Sequence, residues 1–280
     1  DLRDHKGNSA LHFAGLKYHG LEMASFLVDH GFDVNWENND GNDVLHMLLL
    51  PISEKAEEFK GTIPPRIEDA RAETVKLLLA KGAKIDGKNN EGRTALHLAA
   101  VDAGTLLVQL LLNAGFSINA QDNYFATPLH VAVRHNRLDV AKLLIKNGSN
   151  INARDAFSDT PLHDAAWSGN YGITRLLLSK GADLSIKDHR GNAPFHELVG
   201  CADANAFVSD NRAKVMRAFI ANDADVNVRN HEGDSPLALA AKRGSENMGR
   251  ALIANNADVN AKNHEGDSPL ARAAKYGKKN

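Results

Sequence analysis

A four-residue motif recurs at a fixed interval along this chain of 280 residues. Its best copies start at Thr94, Thr127 and Thr160, 33 residues apart, and read Thr-Ala-Leu-His once and Thr-Pro-Leu-His twice. Weaker copies start at Ser9, Asp43, Ala193, Ser235 and Ser268. A period close to 33 residues predicts a repeat architecture, in which each repeat packs against its neighbours along the chain.

The motif has the composition of a helix start. A Thr or Ser side chain at the N-cap accepts a hydrogen bond from an unpaired backbone N–H, and Pro is tolerated at the first helical position. Small apolar residues follow, and Gly169 or Asn136 then supplies a residue type that ends a helix in the left-handed conformation. A second apolar segment, such as residues 140–145, stops at Gly148. Each repeat is therefore predicted to be a helix, a turn, a second helix and a projecting loop.

The repeat resembles the ankyrin repeat. The matching features are the Thr-Pro-Leu-His core, the Ala pair after it, the Leu pair of the second helix and the tails at residues 181–185 and 257–261. About seven full repeats and a partial C-terminal one start near residues 4, 38, 89, 122, 155, 188, 230 and 263. The resemblance implies one all-α domain over residues 1–280: an ankyrin-repeat solenoid of stacked helix-turn-helix units with projecting β-hairpin-like loops.

Two steps of the motif are longer than the others. The step from Asp43 to Thr94 is 51 residues and that from Ala193 to Ser235 is 42, which places insertions at about residues 51–71 and 202–212. Both fall between the two helices of their repeat, so we expect them on the same edge of the stack. They are either tolerated surface loops, because lengthening a loop costs little, or a contact for a partner.

Composition limits the classes of partner and compartment. The 33 Lys and Arg residues nearly balance the 35 Asp and Glu residues, so the net charge of −2 does not favour binding to nucleic acid. No apolar run is long enough for membrane insertion. Cys201 is the only cysteine, which excludes an internal disulfide and favours a reducing compartment. We expect a cytoplasmic monomer, or one in a host cytosol if the protein is a secreted effector. Periplasmic and extracellular locations stay open, since repeat stacks need no disulfides.

The histidines do not form a catalytic or metal pattern. Six of the thirteen occupy the fourth position of the motif: His12, His46, His97, His130, His163 and His196. Stacked helices lie roughly 8–10 Å apart, too far for these rings to share a metal ion. We expect each ring to bond to its cap residue or to neighbouring backbone. Metalloprotease, P-loop and nucleophile-elbow motifs are missing, and nothing in the sequence near Cys201 lowers its thiol pKa. We predict no catalytic, metal or cofactor-binding residues, and we expect Asp122, Asp155 and Asp188 to brace turns.

The resemblance implies that a protein partner binds in a concave groove formed by the loop tips and the exposed side of each first helix. Aromatic residues make up only 6% of the chain, yet Tyr124, Phe125, Phe157 and Trp167 fall at such positions in two successive repeats. Phe125, like Ser158, replaces the usual Gly of the family. Alternatively, the two Phe side chains fill gaps in their own loops. The predicted partner-binding residues are Glu91, Arg93, Tyr124, Phe125, Arg134, His135, Phe157, Asp159, Trp167 and Arg190.

The sequence thus predicts a non-catalytic protein–protein interaction module, with an effector or inhibitor as its sharper form. Two alternatives stay open. The last repeat contains only its first helix. We expect this repeat either to act as a short cap or to mark the chain as the regulatory or targeting segment of a larger enzyme. It is also a candidate substrate for asparagine hydroxylation. The tail positions that resemble such sites are Asn119, Asn152, Asn227 and Asn260.

Overall fold

The computed structural model describes residues 3–14, 20–50, 65–200 and 206–276. Within these ranges the chain forms fifteen α-helices and no β-strand, which confirms the predicted all-α class. The chain divides into two compact units, residues 1–149 and 150–280. The single domain over the whole chain stays a prediction.

The first unit contains four helix pairs. Its helices are α1 (Ala10–Ala14), α2 (Gly20–Asp29), α3 (Val44–Leu49), α4 (Pro65–Ala80), α5 (Ala95–Asp102), α6 (Thr105–Asn113), α7 (Pro128–Arg134) and α8 (Leu138–Lys146). The first helices α1, α3, α5 and α7 pack in series, and so do the second helices α2, α4, α6 and α8. The core lies between the two rows, where the Leu side chains of the motif are fully buried.

The second unit repeats this arrangement. Its helices are α9 (Pro161–Ser168), α10 (Tyr171–Ser179), α11 (Pro194–Gly200), α12 (Ala206–Ile220), α13 (Pro236–Arg243), α14 (Glu246–Ala254) and α15 (Pro269–Tyr276). The first helices α9, α11, α13 and α15 pack in series, as do α10, α12 and α14. Successive helix pairs therefore stack within each unit, as the repeat predicts.

The two insertions are partly helical. Helices α4 and α12 have 16 and 15 residues, against 9 in α8 and α10. Residues 65–71 and 206–212, which the sequence placed in the insertions, form the first turns of these long helices. Residues 51–64 and 201–205, including Cys201, lie outside the described residues.

Each long helix carries a buried arginine that contacts the end of the first helix of its repeat. The Arg71 guanidinium donates to the carbonyl oxygen of Leu48. Arg212 donates to the carbonyl oxygens of Leu198 (2.6 Å) and Trp167 (2.9 Å), so it also joins its repeat to the preceding one. The last carbonyls of a helix have no intrahelical partner, and these two arginines satisfy them.

The motif histidines bind both their own helix start and the next repeat. The backbone N–H of Thr94 donates to Nδ1 of His97 (3.1 Å), and the Thr94 hydroxyl lies 2.9 Å from the same nitrogen. Nε2 of His97 lies 3.1 Å from the carbonyl oxygen of Ala126. His163 repeats this geometry against the carbonyl oxygen of Asn192. The predicted structural role of the motif histidines is therefore confirmed at these two positions.

Repeat 2 differs because Asp43 replaces the Thr or Ser of the motif. Its carboxylate lies 2.7 Å from Nδ1 of His46, and Nε2 of that ring lies 2.9 Å from the carbonyl oxygen of Arg93. A carboxylate and a carbonyl oxygen accept hydrogen bonds, so this arrangement favours the ring that carries a proton on both nitrogens. Burial lowers the pKa of His46, but the hydrogen bond and charge of Asp43 outweigh it and raise the pKa overall.

Candidate functional site

The loop tips that carry the candidate residues are held by aspartate side chains. The Asp122 carboxylate accepts hydrogen bonds from the backbone N–H groups of Tyr124 (2.8 Å) and Ala126 (3.0 Å). Asp155 does the same for Phe157 (2.8 Å) and Asp159 (3.0 Å). The predicted bracing role of these aspartates is confirmed, and it fixes the backbone from which the aromatic side chains project.

Four aromatic side chains project from the tips or from the adjoining helix. The exposed fraction is 59% for Tyr124, 54% for Phe125, 52% for Phe157 and 60% for Trp167. This exposure does not favour the alternative in which Phe125 and Phe157 fill gaps in their own loops. Large apolar side chains that stay half exposed mark candidate contact positions for a partner.

The first-unit surface consists of Glu91, Arg93, Tyr124, Phe125, Arg134 and His135. Its two tips are joined, since the backbone N–H of Asn123 donates to the carbonyl oxygen of Glu91 (3.0 Å). Arg93 forms an ion pair with Glu91 at 2.8 Å. Partial burial lowers the pKa of His135, and the positive charges of neighbouring arginines, Arg93 foremost, lower it further. His135 therefore contributes a neutral ring beside an arginine-rich patch.

The second-unit surface consists of Phe157, Asp159, Trp167 and Arg190. The Phe157 ring lies 6.0 Å from the His189 ring, and the backbone N–H of His189 donates to the Phe157 carbonyl (3.0 Å). Trp167 lies on α9, and its indole contacts no other aromatic ring in the described part of the chain. Arg190 is exposed on the next tip. His189 is the contact that the predicted set missed, although its tip position in the repeat could have identified it.

Asp159 has an unusual protonation equilibrium. Burial, with the negative charges of Asp155 and Asp164, raises the pKa of Asp159 to about 7. Burial and the charge of Asp188 also raise the pKa of Glu197, and the Arg190 guanidinium opposes this change. Ionised Asp159 is thus destabilised in the folded state near neutral pH.

We expect Asp159→Asn to stabilise the protein at alkaline pH. Because the folded-state pKa exceeds the unfolded value, wild-type stability falls as pH rises from about 4 to about 7. The free energy of unfolding should rise by about 1–2 kcal/mol at about pH 8, and the gain should shrink as pH falls towards 4. Urea unfolding at several pH values measures this difference. A gain that does not depend on pH would contradict the titration of Asp159.

Two tips adopt a backbone conformation that normally requires glycine. Phe125 has φ 57° and Ser158 has φ 65°, both in the left-handed region. At the equivalent position of repeat 3, Gly92 has φ 73°. A non-glycine residue in this region costs roughly 1 kcal/mol or more. The first-unit surface therefore keeps Phe125 at the expense of stability.

Phe125→Gly should raise the free energy of unfolding by about 1 kcal/mol, because it relieves the backbone strain. The matched control is Gly92→Ala. A Cβ there would lie 2.7 Å from the backbone nitrogen of Asn123, so this variant should lose stability. Thermal and urea unfolding measure both changes, and a destabilised Phe125→Gly protein would show that the ring supports the fold.

The tail asparagines bind the tail of the following repeat. The Asn152 side-chain oxygen accepts from the backbone N–H of Asp183 (3.0 Å), and that of Asn227 accepts from the N–H of Asp258 (2.8 Å). These bonds give the two asparagines a structural role that sequence spacing alone did not reveal.

In the described ranges, no three His, Cys, Asp or Glu side chains come together as a metal site. Over the same ranges, no helix combines the length and apolar character that a membrane crossing needs.

Comparison with known families gives matches over most of the chain. A family model described as ankyrin repeats (3 copies) matches residues 67–155, 126–188 and 205–280. A model described as ankyrin repeat matches residues 6–39. A search of the curated proteins gives no match.

Proposed function

Because this chain belongs to the ankyrin repeat family, we propose that it binds a protein partner through its loop tips and the exposed sides of its first helices. Ankyrin repeats are generally protein–protein interaction modules and are typically non-catalytic. The concave groove expected of such a stack is the binding region. A role as an effector or inhibitor is the sharper form of the same proposal.

The exposure of the aromatic residues carries this proposal. Trp167, Tyr124 and Phe157 each leave more than half of their surface in solvent. Trp, Tyr and Arg dominate the binding energy of protein interfaces, and Arg93 and Arg190 belong to the same two surfaces. The left-handed Phe125 adds support, because strain without benefit to the fold is typical of functional positions.

The two alternatives remain proposals of lower rank. A regulatory or targeting segment of a larger enzyme would use the same surfaces, so it does not change the experiment below. Asparagine hydroxylation requires access to tail side chains, whereas Asn152 and Asn227 hydrogen-bond to the next tail. This geometry does not favour the substrate role.

The test starts from a partner captured by crosslinking to the immobilised chain and then produced in pure form. Its affinity is measured by calorimetry for wild type and for Tyr124→Ala, Phe157→Ala and Trp167→Ala. We expect at least one variant to bind about tenfold more weakly or worse, as at an interface hot spot.

Phe26→Ala is the matched control. Phe26 is 57% exposed but lies on the second helix α2 and belongs to neither surface. It should bind like wild type. Full affinity in all three surface variants would overturn the proposed binding region, and turnover of a substrate by the purified chain would overturn the non-catalytic role.

A further inference from the structure

A row of four cationic side chains follows the loops of the second unit. The cationic row consists of Arg154, Lys187, Arg229 and Lys262, which occupy the same position in successive repeats and are all exposed. Arg154 donates to the carbonyl oxygen of Lys187 (2.8 Å), and Lys187 donates to that of Arg229 (2.8 Å). Arg229 donates in turn to the carbonyl of Lys262. These bonds fix the charged groups one repeat apart.

The charges of the row are not neutralised by carboxylates. Among the described residues, no Asp or Glu forms an ion pair with any of its four members, although Lys214 and Arg250 in the same unit each have one. Arg154, Lys187 and Arg229 each donate one N–H group to a backbone carbonyl. A carbonyl is neutral, so each side chain keeps its full positive charge. An aspartate lies four residues before three members of the row. Each of these carboxylates accepts a hydrogen bond from a backbone N–H of its own loop: Asp183, Asp225 and Asp258.

The row is particular to the second unit and is not a requirement of the fold. At the equivalent positions of the first unit the chain has Arg3, Glu37, Lys88 and Gln121. Two are positive, one is negative and one is neutral, and that unit still stacks its helix pairs. The uniform sign in the second unit therefore needs another explanation than helix packing.

We propose that the cationic row binds an acidic, Asp- and Glu-rich segment of a protein. Repeats lie about 10 Å apart, and an extended chain advances about 3.3 Å per residue, so every third residue of such a segment meets one cation. Sites for single-stranded nucleic acid add aromatic platforms. Three of the four loops, at 187–192, 229–234 and 262–267, contain no Phe, Tyr or Trp, and the loop of Arg154 carries only Phe157, so an acidic peptide fits better. The row and the aromatic surfaces use different residues, so neither proposal depends on the other.

The test uses the full chain and a labelled synthetic peptide built of Glu-Gly-Gly units, with a Gln-Gly-Gly peptide and oligothymidylate as comparisons. Fluorescence anisotropy at low salt should detect the Glu peptide alone, and its affinity should fall about tenfold at physiological salt. Replacing all four members of the row by Gln should lower the affinity for the Glu peptide about tenfold at low salt.

The matched control removes the same number of charges from the second helices and the end of α10: Arg175→Gln, Lys180→Gln, Lys214→Gln and Arg217→Gln. It should bind like wild type, as should Trp167→Ala, which separates this result from the aromatic surfaces. If circular dichroism shows that the fourfold row variant is not folded, the single variant Lys262→Gln is measured instead. The Lys262 ammonium makes no hydrogen bond to described residues, so its replacement should not disturb the fold. We expect Lys262→Gln to bind the Glu peptide about twofold more weakly than wild type. Equal binding by row and control variants, or tighter binding of oligothymidylate, would overturn the proposal.

Discussion

Asp234→Ala should lower the free energy of unfolding by about 2–4 kcal/mol, since it removes the buried partner of Arg272 and leaves that guanidinium only the exposed carboxylates of Glu232 (3.2 Å) and Glu265 (3.6 Å). Asp234 is fully buried and pairs with buried Arg272 through two bonds, Nε to Oδ1 at 3.1 Å and Nη2 to Oδ2 at 2.7 Å. The side-chain amide of Asn263 donates to the same carboxylate at 2.9 Å. The variant removes three hydrogen bonds and the only fully buried ionic partner of Arg272 among the described residues.

A double-variant cycle separates the ion pair from the loss of side-chain volume. Arg272→Met in the Asp234→Ala background removes a buried charge that has lost its buried partner, so the double variant should be more stable than Asp234→Ala alone. Arg250→Met is the surface control, because its exposed ion pair with Glu246 contributes little and its loss should stay within about 0.5 kcal/mol. Urea unfolding followed by circular dichroism measures each difference. A loss below about 1 kcal/mol in Asp234→Ala would show that the pair does not stabilise the fold.

His163→Ala should cost about 3–4 kcal/mol, because one ring supports a helix start and the contact with the next repeat. The variant leaves the backbone N–H of Thr160 and the carbonyl of Asn192 without this ring, and it opens a cavity where the imidazole was buried. His189→Ala is the control, since that ring is exposed and should change stability by less than about 0.5 kcal/mol. Unfolding midpoints for the two variants measured side by side give the comparison. Equal losses would contradict the scaffold role of the motif histidine.

The same ring predicts a dependence on pH. Burial lowers the pKa of His163, so the unfolded state binds the proton more readily. The stability contributed by the neutral ring is present above the unfolded pKa of about 6.5 and is lost as pH falls below it. Wild type should therefore lose stability on acidification more steeply than His163→Ala. If the free energies of unfolding of wild type and His163→Ala fall in parallel with pH, the His163 ring does not titrate in this range.

Much of the fold could be predicted because it depends on local chemistry. A Thr or Ser cap, a Pro at the first helical position and a left-handed residue after the helix act within a few residues, so spacing alone located the helix pairs. The histidine bonds could also be anticipated, since Thr160 and His163 lie three residues apart. The helical second parts of the insertions were missed, because a lengthened helix and a lengthened loop give the same step between motifs.

Other features depend on residues that are distant in sequence. Asp234 meets Arg272 from 38 residues away, and Arg212 reaches Trp167 from 45. No periodicity in the sequence identifies such pairs, because their members come from different repeats and from different positions within the repeat. The raised pKa of His46 follows from one change, Asp43 in place of Thr, which places a carboxylate beside Nδ1 of the ring.

For the candidate surfaces, sequence reasoning located the tips but not their energetics. Departures from the repeat at Phe125 and Phe157 identified side chains that are indeed half exposed. The raised pKa of Asp159 could not be anticipated, because it arises from burial and from carboxylates that fold around it. That the residues of the first-unit and second-unit surfaces bind a partner stays a prediction.

Affinity of the purified partner for Trp167→Ala, measured by calorimetry beside wild type and Phe26→Ala, tests the central proposal most directly. Trp167 is the most exposed aromatic residue of the two surfaces, and its replacement leaves the buried core intact. We expect Trp167→Ala to bind about tenfold more weakly or worse, with unchanged stability, and Phe26→Ala to bind like wild type. Wild-type affinity in Trp167→Ala together with weakened binding in Phe26→Ala would contradict the account and place the contact on the second helices.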